Sequence, residues 1–292
     1  MSWERIMPLT TFNQQSSADE INEQLKIDGA IVIENVLSEE VIESLLSEIQ
    51  PFLTSVPFGW DSFVGFNTKR FGALVSLLPT CRSLLINEQI MAVSKLFLSP
   101  FAKSFYLNSS HMIAPFPGQT KQVLHRDRES WPLLPMSIEP QLSVIWALTD
   151  FNESCGSTRF ALGSQNWPRD RKAIPEELSI VETTAGSVVV FSGSVIHGGG
   201  ENQSNFPRTS INFSYCLDWL RAEENHCLSC PLEIAKNLPE QVQNVLGYTM
   251  GGDFLGYYTD PHVKNNQALV LPPEIALGKT PQDPKLRKFL GV

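Results

Sequence analysis

Two histidines and an aspartate that could share one ion lie far apart in this chain, and few folds can bring them together. His125-Arg126-Asp127 supplies two of the three with a spacing of two. His197 follows 70 residues after Asp127, and Arg208 another 11 after that. Side chains alternate along an extended strand. A strand through 125–127 would therefore put His125 and Asp127 on one face and Arg126 on the other. His197 comes just after an apolar run, 187–191, that reads as a buried strand. Arg208 heads a segment in which Ile211, Phe213, Tyr215 and Leu217 alternate with Ser210, Asn212, Ser214 and Cys216. Its polar face, shared by Arg208, would look into the lumen of a barrel or sandwich near the three candidate ligands.

The remaining patterns fit that architecture. Ser17 and Glu20 form a capping box ahead of a helix expected at 19–27, which Asp28-Gly29 ends. Residues 30–33 read as a short buried strand. Ser38 opens a second helix whose Val41, Ile42, Leu45, Leu46 and Ile49 share one face, with Pro51 stopping it or lying in its last turn. Residues 57–78 read as irregular and 87–98 as a third helix. Strands are then expected at 102–113, 141–148, 178–182, 187–191 and 208–218, separated by Gly, Pro, Ser and Asn clusters. Helical character returns at 232–245, and the chain from Gly251 onward reads as extended and loop-rich. The expectation is a mainly β fold with flanking helices and a jelly-roll core. One domain would span 1–292, helical to about residue 100, jelly roll over 101–220 and tail beyond.

Composition removes several function classes. A net charge of −9 with no basic stripe argues against nucleic acid as a partner. No apolar run approaches the ~20 residues of a membrane span. The first residues lack the basic and apolar regions of a secretory signal. Five cysteines, an odd number scattered through 292 residues, point to a reduced, cytoplasmic setting.

Two imidazoles and a carboxylate on one side of a divalent iron leave three positions open, the arrangement of non-haem Fe(II) oxygenases. Arg208 suits the far carboxylate of a bidentate co-substrate such as 2-oxoglutarate, because a guanidinium grips a carboxylate as a fork. Standing alone, His-x-Asp is short enough to recur by chance. His197-Gly198-Gly199-Gly200 resembles a lipase oxyanion loop, but the chain has no G-x-S-x-G elbow. His226-Cys227 with Cys230 lacks the second ligand pair of a structural zinc site. His111 reads as a core or pocket-wall histidine, and His262 as exposed.

At this point the motifs carry a family resemblance. The chain resembles the phytanoyl-CoA dioxygenase family of Fe(II)/2-oxoglutarate-dependent oxygenases over nearly its whole length. The resemblance runs through Asp28-Gly29-Ala30-Ile31-Val32-Ile33, His125-Arg126-Asp127, Leu148-Thr149-Asp150-Phe151 and Cys155-Gly156-Ser157-Thr158-Arg159-Phe160. It continues through Ala161-Leu162-Gly163-Ser164-Gln165, Gly186-Ser187, His197-Gly198-Gly199-Gly200 and Arg208. It implies a double-stranded β-helix, with His125, Asp127 and His197 as iron ligands and Arg208 on the distal carboxylate of 2-oxoglutarate. By position it adds Gln122, Thr158 and Arg70 as further co-substrate contacts. O₂ would be the second co-substrate, and succinate and CO₂ would be released. Leu162 and Gln165 stand where the family has proline and histidine. Asp127 is present, so the halogenase variant is not implied.

Substrate identity is the least legible part. Phe58, Trp60, Phe63, Phe66, Trp131 and Met136 could line or lid an apolar pocket, or equally serve packing. No basic cluster marks a coenzyme A site, which favours a small metabolite or natural product. Hydroxylation is the default outcome, with desaturation, cyclisation or dealkylation as alternatives. A homodimer is one assembly the resemblance allows, and the tail could cover the site. Two other classes stay open: a non-catalytic 2-oxoglutarate- or metal-binding module, and an O₂-independent cupin-type isomerase or hydrolase.

Overall fold

The computed structural model describes residues 8–252, 254–261 and 270–280. Its elements begin with β1 (Thr10–Asn13), α1 (Ala18–Asp28), β2 (Ala30–Glu34), α2 (Glu39–Ser55), β3 (Thr68–Phe71), α3 (Leu74–Leu77), α4 (Cys81–Leu85) and α5 (Glu88–Leu98). The strands β4 (Phe105–Pro115), β5 (Gln141–Ala147), β6 (Thr158–Ala161), β7 (Ser179–Ile180), β8 (Val188–Ser192), β9 (Ile196–Gly199) and β10 (Ser210–Leu217) follow. Three short helices then appear, α6 (His226–Ser229), α7 (Leu232–Ala235) and α8 (Glu240–Val245), with α9 (Pro273–Ala276) last. The last of the expected features, His262, lies outside the described residues. No helix among the described residues is long and apolar enough to cross a membrane.

Local chemistry explains the first turn of chain. The Ser17 amide donates to Glu20 Oε2 at 3.0 Å and the Glu20 amide to Ser17 Oγ at 3.3 Å, the reciprocal pair expected of a capping box. Gly29 closes α1 in the left-handed region at φ +79°, and a Cβ there would collide with Gln165. Gln165 itself donates to the Lys26 and Ile27 carbonyls at 3.0 Å each, satisfying the frayed end of the helix. The residue that departs from the family's histidine thus works as a helix cap.

Among the described residues, ten strands make two sheets. The larger has seven strands in the order β1-β2-β8-β5-β10-β4-β3, and the smaller has three in the order β7-β6-β9. Only the β1–β2 pair of the larger sheet is parallel. The two faces of the larger sheet are divided by residue parity. Val144, Trp146, Ile211, Phe213 and Tyr215 look outward into a core shared with Leu25, Leu45, Ile49 and Val93 of the helices. Ile145, Val189 and Phe191 look inward and meet Phe160 of the smaller sheet. The alternation read along 208–218 is therefore the division between helix-packed and inward faces.

Several boundaries differ from expectation, each for a local reason. Helix α2 runs four residues past Pro51, because Phe52 and Leu53 gain cover from the core. The stretch 57–78 is not irregular throughout. It holds β3, which adds an edge to the larger sheet, and α3. The five-residue strand expected at 178–182 pairs only as β7, and 232–245 is two helices interrupted before Pro239, whose missing N–H cannot continue a helix. The four-residue strands β6 and β9 are too short to produce a visible alternation. Most consequential, 125–127 is not a strand. His125 forms an isolated bridge with His197, and Asp127 opens the 3-10 turn Asp127–Ser130.

Candidate active site

Even so, that bridge produces the convergence. The His125 amide donates to the His197 carbonyl at 2.9 Å, and the His197 amide returns the bond at 2.9 Å. With their backbones locked together, the two rings lie 4.5 Å apart, centre to centre. The turn that follows brings Asp127 Oδ1 to 3.5 Å from both His125 Nε2 and His197 Nε2. Among the described residues, these three form the only group of ligand-type side chains close enough to hold a metal ion.

Each donor atom is aimed by a second contact. His125 Nδ1 faces the Val123 carbonyl at 3.0 Å, and His197 Nδ1 faces the Val195 carbonyl at 3.2 Å. A carbonyl can only accept, so both protons sit on Nδ1 and both Nε2 lone pairs point inward. Asp127 Oδ2 accepts from Ser143 Oγ at 2.9 Å and from Gln141 Nε2 at 3.2 Å, which leaves Oδ1 for the centre. Ser143 and Gln141 were not singled out from the sequence. Their parity on β5, opposite to Leu142, Val144 and Trp146, is the signal that could have found them.

Electrostatics agree with a cation at this point. Burial pushes the Asp127 carboxyl up, but His197, His125 and the Ser143 hydroxyl outweigh it and hold it at about 2. Burial pulls His197 down to about 4 against the attraction of Asp127. For His125, burial also acts downward, yet its bond to Asp127 leaves it raised overall. An ionised carboxylate beside a neutral imidazole is the donor state a divalent metal requires.

The triad opens into a cavity of about 470 Å³. Arg208, Thr158, Gln122 and Arg70 all line it. Arg208 precedes β10 rather than starting it, but its amide still bonds the Pro115 carbonyl at 3.1 Å. Its guanidinium is buried, packs 4.7 Å from the Phe151 ring centre, and gives Nη1 to the Gly156 carbonyl at 2.9 Å and Thr158 Oγ1 at 3.4 Å. Arg208 Nε has no partner, and neither does the buried Nε of Arg70. Burial lowers Arg208 to about 10, so it remains a cation at neutral pH, and among the described residues no carboxylate pairs with it. Gln122 is already engaged: its Nε2 donates to the Phe63 carbonyl at 3.1 Å, and its Oε1 accepts from the Gly199 amide at 3.1 Å. Two buried orphan N–H groups on cations call for an anion with several acceptors. The residues present therefore fit both iron and 2-oxoglutarate.

The aromatic residues are distributed differently. Phe63 lines the cavity, edge-on to the His125 ring at 4.8 Å. Phe58, Trp60, Phe66, Trp131 and Met136 do not line it. Phe58 stacks edge-on against Phe116 at 5.3 Å, and Trp60 and Phe66 are exposed. Trp131 Nε1 donates to the Arg221 carbonyl at 3.2 Å. The floor is polar instead: Ser109, His111, Asn212 and Ser214 face the space. Arg126 is buried and ties three loops by donating to the carbonyls of Ser194, Ser164 and Arg169. Cys227 is exposed, Cys230 buried, and all five cysteines are free. His226 is committed to the Leu107 carbonyl at 2.8 Å.

Behind Asp127, Glu139 accepts from Ser192 Oγ and, at 3.4 Å, from the Gln141 amide. Burial raises its carboxyl from 4.5 to about 7 against those hydrogen bonds. A raised folded-state value favours folding fully below 4.5, and that contribution is lost as pH climbs through about 7. The rise is worth at most ~3 kcal/mol. Glu139→Gln should therefore flatten the stability profile between pH 5 and 8, gaining most at pH 8. Urea midpoints across that range check it, and an unchanged slope contradicts it.

Comparison with known proteins completes the identification. Residues 25–210 match the family described as Phytanoyl-CoA dioxygenase (PhyH). The chain is 34% identical over 258 residues to "Dioxygenase FUM3" of Gibberella moniliformis, covering 82% of this chain and 86% of that one. It is 31% identical over 246 residues to "Dioxygenase ALT11" of Alternaria alternata, covering 79% and 82%. Among solved structures, the epimerase SnoN in complex with Fe3+, alpha ketoglutarate (2-oxoglutarate) and nogalamycin RO superposes with a TM-score of 0.59 at 18% identity, covering 69% of this chain and 84% of that one. HygX from Streptomyces hygroscopicus, with nickel, 2-oxoglutarate and hygromycin B bound, gives 0.56 at 17% identity, covering 70% and 89%. These likenesses establish the double-stranded β-helix fold. The chain belongs to the phytanoyl-CoA dioxygenase (PhyH) family and is an Fe(II)/2-oxoglutarate-dependent dioxygenase.

Proposed function

We propose that this dioxygenase oxidises a C–H bond of a small natural product, with His125, Asp127 and His197 as the iron ligands. One observation carries the reading. Three donor atoms with fixed inward direction share a cavity with Arg208, a buried cation that lacks an anionic partner among the described residues. Arg208 would hold the distal carboxylate of 2-oxoglutarate, with Thr158 orienting its guanidinium and Gln122 and Arg70 flanking the same space. Iron bound here supplies the oxidising power, drawn from O₂ and the conversion of 2-oxoglutarate to succinate and CO₂.

The chain's own work is orientation and exclusion of water. Val123 and Val195 fix the imidazole tautomers, and Ser143 and Gln141 fix the carboxylate. Phe160 and Phe191 pack against the His197 ring at 5.6 and 4.7 Å and keep that side dry. The cavity volume falls in the ordinary range for small molecules. Hydroxylation is the expected outcome. The molecules bound in two proteins of the same fold, nogalamycin RO and hygromycin B, support a natural product as the substrate class.

The test is succinate formation in air, with Fe(II), 2-oxoglutarate and fungal and bacterial secondary metabolites as candidate substrates. Substrate-stimulated succinate matched to oxidised product supports the reading. A protein that binds iron and 2-oxoglutarate yet makes no succinate under any condition would be a binding module instead. Ser143→Ala should weaken iron retention by ~10–100-fold, because Asp127 loses its guide. Competition against a chelator under anaerobic conditions measures this, and wild-type retention would remove Ser143 from the site's support.

A further inference from the structure

The cavity floor is a patch of the larger sheet whose side chains fall in three cross-strand rows. Arg70, Ile113 and Ser210 form the row nearest Arg208. His111 and Asn212 are direct partners in the next row, and Ser109, Ser214 and Ser143 form the third. Nearly every polar group on this floor is already committed. Ser109 Oγ bonds Ser214 Oγ at 2.8 Å. Ser143 and Gln141 are spent on Asp127. Ser210 Oγ donates to Asn212 Oδ1 at 2.8 Å.

Besides the unpartnered Arg70 guanidinium at the Arg208 end, two groups are left over. Neither ring nitrogen of His111 has a hydrogen-bond partner among the described residues, and neither does the Asn212 amide nitrogen. Burial, helped by the nearby Arg70 cation and opposed by Glu224, keeps His111 below the usual histidine value, so the ring is neutral. A neutral imidazole offers one donor and one acceptor, and the amide offers two donors. His111 and Asn212 are half-buried and face an open-mouthed cavity, so their unsatisfied polar atoms are available to whatever enters it. The co-substrate end is already supplied by Arg208, Thr158, Gln122 and Arg70.

We propose that the substrate carries a hydroxyl or carbonyl oxygen, and that His111 and Asn212 are the cross-strand pair that binds it. The inference rests on reading the cavity as the oxygenase site. Asn212 donates to the oxygen through its amide nitrogen. His111 donates to a carbonyl, or accepts the proton of a hydroxyl. Two bonds from one rigid sheet fix the substrate's orientation, and with it the C–H bond presented to the triad. A bare hydrocarbon in the same space would leave both groups unpaired, so the pair selects for oxygenated molecules.

The probes are camphor, a rigid ketone, and bornane, the hydrocarbon of the same shape. Each is titrated anaerobically into protein loaded with Fe(II) and 2-oxoglutarate, following the perturbation of the visible iron–2-oxoglutarate band. Camphor should bind at least ~10-fold tighter than bornane. That preference should fall to near unity in His111→Phe and in Asn212→Leu, and His111→Gln, which keeps a hydrogen-bonding group, should retain part of it. Equal responses to the two probes in the wild type, including none to either, overturn the proposal. So does a preference that survives in both variants. Loss of the band itself in those variants assigns the pair to the co-substrate and also overturns it. Loss of the band in the wild type would instead sink the oxygenase site on which the proposal stands.

Discussion

Arg208→Met should raise the 2-oxoglutarate KM by ~100-fold or more while leaving iron binding intact. Arg208 is buried, its Nη1 is braced at 2.9 Å by the Gly156 carbonyl, and its Nε is unpaired. Among the described residues, no carboxylate neutralises it. A cation placed this way gives up hydration that the fold does not replace, so its partner must arrive with the co-substrate. Methionine fills the slot beside Phe151 but offers no donor. Arg208→Lys should fall between the two, because an ammonium keeps the charge and loses the fork. KM for 2-oxoglutarate, read beside the thermal midpoint, separates lost binding from lost fold. An unchanged KM in a folded Arg208→Met would show that the carboxylate is held elsewhere.

The second large effect is expected at Asp127. Asp127→Ala should give protein that retains no stoichiometric iron and turns over at the background of metal-free enzyme. Two neutral imidazoles alone are a poor site for a hard divalent ion. The substitution also strands the Ser143 hydroxyl proton and takes one of two acceptors from Gln141 Nε2. Added iron should restore little, and Asp127→Glu should restore only part, since the longer side chain moves its oxygen off the 3.5 Å positions held against both rings. Iron content after gel filtration and succinate formation with excess Fe(II) are the two readings. Full activity in Asp127→Ala would remove the carboxylate from the ligand set.

Much of this is legible in the residues alone. Ser17 and Glu20 marked the start of α1 because a capping box is a local chemical unit. The polar parity of Ser210, Asn212 and Ser214 correctly placed one face of β10 toward the cavity. The spacing of His125 and Asp127 puts them on one side, but the segment folds as a bridged residue and a 3-10 turn rather than a strand. Spacing of two cannot distinguish a strand from one bridged residue followed by a turn. β6 and β9 were hidden by length and by glycine. Gly198 and Gly200 lie where a Cβ would press on Gln122, Val123 and Ser157 backbone, so close chain approach, not turn formation, requires them. The aromatic run at 58–66 suggested a lined pocket, but only Phe63 reaches it, and the floor is built from small polar side chains that composition alone gives no reason to single out.

The central claim is that one set of residues holds both iron and 2-oxoglutarate. Its most direct test is an anaerobic titration of metal-free protein with Fe(II) and then 2-oxoglutarate, watching for the visible metal-to-ligand charge-transfer band. The account predicts a saturable band in the wild type, none in His125→Ala, and a band in Arg208→Ala that forms only at far higher 2-oxoglutarate. A wild type that shows no band, or a His125→Ala protein that shows the full one, would contradict it.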